Sequence, residues 1–185
     1  MQKLLATLFI LFACAIQAQN IVLSPNGVAT VKGQQAITAI HLVLWDQQWK
    51  HASIQAGGQP DESIILAKGI LGIPDSDSAY LDYTITKKAF PDKQTLDYRV
   101  APSKSTTIQG AFINTYLDLQ YIANREFVMV PNGHKGTFPE KLAGTNVYGS
   151  NATGVAIKQD DGNYLLINSG KNVRLLIQDN RAFNV

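Results

Sequence analysis

From residue 20 onward, apolar and polar side chains alternate with period two in short runs. Gly, Pro, Asn and Asp break the runs, and no other feature constrains the fold as much. Successive side chains of a strand point to opposite faces, so such a run buries one face and wets the other. In residues 79–86, Leu81, Tyr83 and Ile85 share one face and Asp82, Thr84 and Thr86 the other. Leu96, Tyr98 and Val100 repeat this against Asp97 and Arg99, and residues 87–94, with Pro91 and Asp92, read as the connection of an antiparallel hairpin. The six apolar residues are expected to form one continuous buried layer. Further strands are predicted over 28–31, 37–45, 63–67, 105–119, 127–130, 154–158, 164–168 and 173–178. Asp160-Asp161-Gly162-Asn163 and Ser169-Gly170-Lys171-Asn172 both read as turns, which predicts a C-terminal meander of three strands. Only 119–125 reads as a short helical turn. Many short strands without crossover helices predict an all-β fold, a two-layer antiparallel β-sandwich that is jelly-roll-like. The breaks at Lys32-Gly33-Gln34-Gln35 and Ala56-Gly57-Gly58-Gln59-Pro60 are loop-sized, so residues 19–185 are expected to form a single domain. Its alternation continues to Val185, as in the N-terminal part of a longer protein.

The first residues carry a different signal. Lys3, an apolar run over 4–16 and Gln17-Ala18-Gln19 read as a signal peptide over 1–18, cleaved after Ala18. The run falls short of the roughly 20 residues that cross a bilayer, so no membrane span is expected and the mature chain is secreted or periplasmic. An alternative reading takes Leu11-Phe12-Ala13-Cys14 as a lipoprotein box with Cys14 as the lipidated anchor. Phe12 and the apolar Ala15-Ile16 fit that box poorly. Cys14 is the only cysteine, so the cleaved chain would have neither disulfides nor a thiol nucleophile and would be held by its apolar core. The formal charge is +2 and falls by one when Lys3 leaves. That balance is no footprint for nucleic acid.

The search for reactive groups is mostly negative. His41, His51 and His134 lie in no metal-ligand spacing, and no metal or cofactor is expected. Asp46, Asp82, Asp97, Asp118, Glu126 and Glu140 fall on separate elements, so a glycosidase acid pair cannot be read from them. No nucleophile elbow occurs. The Asp160 turn lacks the spacing of a calcium loop, and Asn151-Ala152-Thr153 matches a glycosylation sequon in what reads as a loop. Trp45 and Trp49 are the best binding candidates, because indole faces stack on the C–H surfaces of sugar rings. Trp45 continues the face of the 37–45 strand and reads as core. Trp49, with Asp46, Gln48 and Lys50 to hydrogen-bond hydroxyl groups, is the predicted carbohydrate-binding set. No catalytic residue is assigned.

The blocks Leu81-Asp82-Tyr83-Thr84-Ile85, Leu96-Asp97-Tyr98-Arg99-Val100-Ala101-Pro102, Ile108-Gln109-Gly110-Ala111-Phe112-Ile113 and Leu176-Ile177-Gln178-Asp179-Asn180-Arg181 resemble the β-sandwich accessory domains of large secreted bacterial glycoside hydrolases. The resemblance spans roughly residues 79–183. It implies a polysaccharide or oligosaccharide partner and a catalytic (β/α)8 barrel covalently following the sandwich, and it transfers no catalytic residue. The expected function is a non-catalytic, carbohydrate-associated module of a polysaccharide-degrading system. The alternatives are a surface adhesive or structural module pairing with other proteins, and a small polysaccharide lyase.

Overall fold

The computed structural model describes residues 20–55, 57–76 and 78–183. The predicted signal peptide and Cys14 lie outside them. Among the described residues the fold is all-β, with antiparallel sheets, one short α-helix and a 3-10 turn at Asn180–Phe183. The described residues divide into two compact units, 20–33 with 41–113, and 34–40 with 114–183. Among the described residues no helix is long and apolar enough to cross a membrane.

The first unit opens with β1 (Ile21–Leu23) and β2 (Ala29–Val31), which pair antiparallel. β2 is followed in the same sheet by β3 (Ile37–Trp45) and β4 (His51–Ser53), while β8 (Gly110–Leu117) also pairs with β3; residues 37–40 and 114–117 of these two strands belong to the second unit. β3 coincides with its predicted range, and Leu42, Val43 and Leu44 are buried within it. A second sheet has the order β5 (Leu66–Gly72), β6 (Tyr80–Ala89), β7 (Gln94–Pro102). The predicted faces of β6 are observed, with Leu81, Tyr83 and Ile85 at 4, 6 and 0% exposure. Each such side chain contributes about 1.5–3 kcal/mol by leaving water.

Contacts inside this unit fix the register. Tyr83 donates its hydroxyl to Asn26 O at 2.8 Å. Gly27, at φ +97°, is glycine for two reasons: its backbone is left-handed, and a Cβ there would lie 2.5 Å from Ile85 Cδ1. Lys87 Nζ donates to Ile21 O at 3.0 Å and Glu62 O at 2.6 Å. The predicted buried layer is corrected at its far end. Leu96 and Tyr98 are half-buried, and Val100 is 39% exposed, because β7 is an edge strand whose last residues have no neighbour on one side.

The second unit holds α1 (Leu119–Ile122), β9 (Glu126–Val130), β10 (Lys135–Thr137), β11 (Asn146–Lys158) and β12 (Tyr164–Gln178), with sheet order β10-β9-β11-β12. Asp118 caps α1 by accepting from Gln120 N–H at 2.9 Å. The helix ends after one turn, where Asn124 takes φ +62°. Phe127, Met129, Phe138, Ile157 and Leu165 form the core, with the Phe127 and Phe138 rings 5.0 Å apart.

The expected three-strand meander is corrected to a two-strand hairpin. The Asp160 turn does reverse the chain, but residues 169–172 do not. Ala152 pairs with Val173 and Gly154 with Asn168, so those four residues bulge opposite Thr153 alone. Ser169 Oγ lies 2.8 Å from Thr153 O, and Asn168 Oδ1 accepts from Gly170 N–H at 2.7 Å. The first bond ties the bulge to β11 and the second shapes the bulge itself. The sequon Asn151-Ala152-Thr153 consequently lies within a strand, with Ala152 fully buried, and not in a loop.

Candidate functional site

The β3–β4 connection is built by one carboxylate. Asp46, 4% exposed, accepts through Oδ1 from the N–H groups of Gln48 and Lys50, each at 2.8 Å. The Asp46 N–H donates to Lys50 O at 2.9 Å, and the Trp49 N–H donates to Asp46 O at 3.2 Å. This is a turn closed by an αL residue, the arrangement of three-residue hairpin loops in which glycine ordinarily occupies the αL position. Here the αL residue is Trp49, at φ +64°. A bulky side chain in that region costs about 1–2 kcal/mol.

The strain displays an aromatic surface. Trp49 is 64% exposed, and its ring centroid lies 6.2 Å from that of Trp45 at an interplanar angle of 61°, an edge contact. Trp45 is half-buried and its ring lies 5.0 Å from that of His51. Gln47 and Gln48 are exposed beside the indoles, and Gln109 anchors the neighbouring strand by donating its backbone N–H to Trp45 O at 3.0 Å. Lys50 is exposed and ion-pairs with Asp75. The hydrogen bond to Asp75 raises the Lys50 ammonium above its ordinary value.

The four residues nominated from sequence therefore separate into two roles. Trp49, Gln48 and Lys50 lie on the surface of the turn. Asp46 lies beneath it, with Oδ1 on the backbone and Oδ2 buried without a hydrogen-bond partner, so it positions Trp49 and does not face a ligand. Trp45, read as core, is the half-exposed edge of the aromatic surface. His51 and Asp75 were not nominated. β4 is too short for alternation to place His51 opposite Trp45, and nothing in the sequence links Lys50 to Asp75.

The remaining candidates lie outside this turn. Burial holds His41 below its ordinary value. His134 lies against Tyr148, with ring centroids 5.3 Å apart. Asp82 is exposed, Asp97 pairs with Lys88, and Glu140 accepts from Asn124 Nδ2 at 3.2 Å. In the Asp160 turn, Asp161 accepts from the backbone N–H and the side-chain amide of Asn163, each at 2.9 Å. Those bonds to Asn163 hold its carboxyl below the usual range. Among the described residues no group of three His, Cys, Asp or Glu side chains is arranged to hold a metal ion. No family model matches this chain, nor does any curated protein or solved structure.

Proposed function

We propose that the chain is a non-catalytic carbohydrate-contacting module of a secreted polysaccharide-degrading system, with a jelly-roll-like sandwich presenting Trp49 as its sugar platform. One observation carries the reading: a tryptophan that is 64% exposed occupies a backbone conformation suited to glycine. Strain of that kind persists only where the surroundings over-determine it, and it concentrates at ligand sites. Asp46 supplies the over-determination. The exposed indole face offers stacking area to a pyranose ring, and the amides of Gln47 and Gln48 offer donors and acceptors to its hydroxyl groups.

The test is calorimetric titration of the 19–185 chain with soluble plant and algal oligosaccharides. Saturable binding by the native chain, lost in Trp49→Gly with the fold retained, supports the proposal. Binding that survives the substitution contradicts it.

A second reading, an adhesive module, draws on β12. It is the last strand of its sheet, and Leu166 and Leu176 are 54 and 44% exposed. An edge of this kind accepts a strand from another chain. Concentration-dependent association abolished by Leu176→Lys, with no glycan bound, would favour it.

A further inference from the structure

We infer that the cleft beside Arg125 in the second unit is a carboxylate-binding site, occupied in the free protein by a carboxylate of its own. The cleft has a volume of about 300 Å3 and is lined by Asn124, Arg125, Glu126, Lys158, Gln159 and Asp160. This is the lower end of the range of small-molecule sites. Its fixed member is Arg125, with a side chain only 18% exposed, and its movable member is Asp160, with a side chain 90% exposed. Arg125 Nη2 donates to Asp160 Oδ2 at 2.6 Å. The other guanidinium contacts are long, from Nη1 to Lys158 O at 3.4 Å and to Gln159 Oε1 at 3.5 Å.

The turn that carries Asp160 is set without its side chain. Gln159 N–H donates to Asn163 O at 2.8 Å, Gly162 N–H donates to Gln159 O at 3.1 Å, and Asp161 binds Asn163. The Asp160 carboxylate can therefore rotate into solvent while the backbone stays in place. Seated, it leaves the lining with two cations against two carboxylates. Withdrawn, it leaves Arg125 and Lys158 in the lining with Glu126, while Asp161, held on Asn163 outside the lining, still acts on Arg125; the freed guanidinium fork then matches an incoming carboxylate. The ligand class is a small organic carboxylate, with its carboxylate in the place of Asp160, and a uronic acid serves as the probe. No residue is shared with the Trp49 platform, so the two proposals succeed or fail separately.

The experiment is an amide NMR titration of the 19–185 chain with methyl glucuronide at constant ionic strength, with methyl glucoside as the uncharged control. Saturable shifts at residues 124–126 and 158–160 are expected with the glucuronide only. An exposed ion pair favours its closed state only a few-fold, so Asp160→Ala should tighten binding about two- to fivefold. Arg125→Gln should abolish binding. Lys158→Gln, at an exposed position, should weaken it about twofold and serves if the Arg125 variant fails to fold. The inference is overturned if neither the native chain nor Asp160→Ala shows saturable shifts. Equal shifts with the glucoside, or an affinity unchanged by Asp160→Ala, overturn it as well.

Discussion

Asp46 and Trp49 close the same turn from opposite sides. The Asp46 carbonyl accepts the Trp49 N–H at 3.2 Å, while the Asp46 carboxylate accepts the N–H groups on either side of Trp49, those of Gln48 and Lys50. The indole is thereby held outward at φ +64°. Glycine relieves that strain and alanine does not. Trp49→Gly should therefore be more stable than Trp49→Ala by about 1 kcal/mol, the reverse of their usual order in regular structure. Urea midpoints of the two variants measure it. An alanine variant at least as stable as the glycine variant would mean that Trp49 is unstrained in solution.

Asp46→Ala strips an acceptor from two backbone N–H groups and should cost about 1–3 kcal/mol. Asp46→Asn keeps an oxygen in the Oδ1 position and should cost less. Both substitutions remove the buried Oδ2, so a loss confined to the alanine variant identifies the turn bonds as the stabilising element. Equal losses would assign the effect to the charge. Chemical denaturation followed by tryptophan fluorescence distinguishes the two.

The sequence exposes some of this more readily than the rest. The β3 strand is read to the residue because turn formers flank an apolar run, and the β6 faces follow from strict alternation through Leu81, Tyr83 and Ile85. The 169–172 bulge is misread because Ser, Gly and Asn serve a bulge and a reversal equally well, and only the register against β11 separates them. Strands β1, β4 and β10 are three residues each, too short for a period to show. At the site, Trp49 is readable as an aromatic but not as an αL residue, since its type argues against that conformation. The Arg125 cleft is not readable either, because it joins side chains 33 to 35 residues apart.

At Gly154 the backbones of β11 and β12 leave no room for a side chain. A Cβ there would collide with the backbone carbonyl of Ile167, which no side-chain rotation can clear. Gly154→Ala should destabilise the second unit by about 1–3 kcal/mol, the cost of overpacking a tight contact. Amide hydrogen exchange of Val155 to Ile157 should accelerate with it. Unchanged exchange would contradict the register.

His41 gives the first unit an acid-sensitive strand. Burial holds its folded pKa below the ordinary 6.5, so the unfolded chain binds the proton more readily. Stability should be full above pH 6.5 and should fall as pH drops from there through the lower folded value. Paired carboxylates such as Asp61 and Asp161, already lowered from 3.8, contribute at lower pH. His41→Gln should flatten the urea midpoint between pH 7.5 and 5.5. An equally steep profile in the variant would place the titrating group elsewhere.

The chain contains two tryptophans, so a nitrogen-15 correlation spectrum has two indole N–H signals to follow. Trp49→Gly assigns them. On titration with the oligosaccharide that binds most tightly in calorimetry, the account predicts a large saturable shift of the Trp49 indole and a smaller one of Trp45, its edge-on neighbour. Saturable binding that leaves the Trp49 signal unmoved would contradict the claim that this turn is the platform.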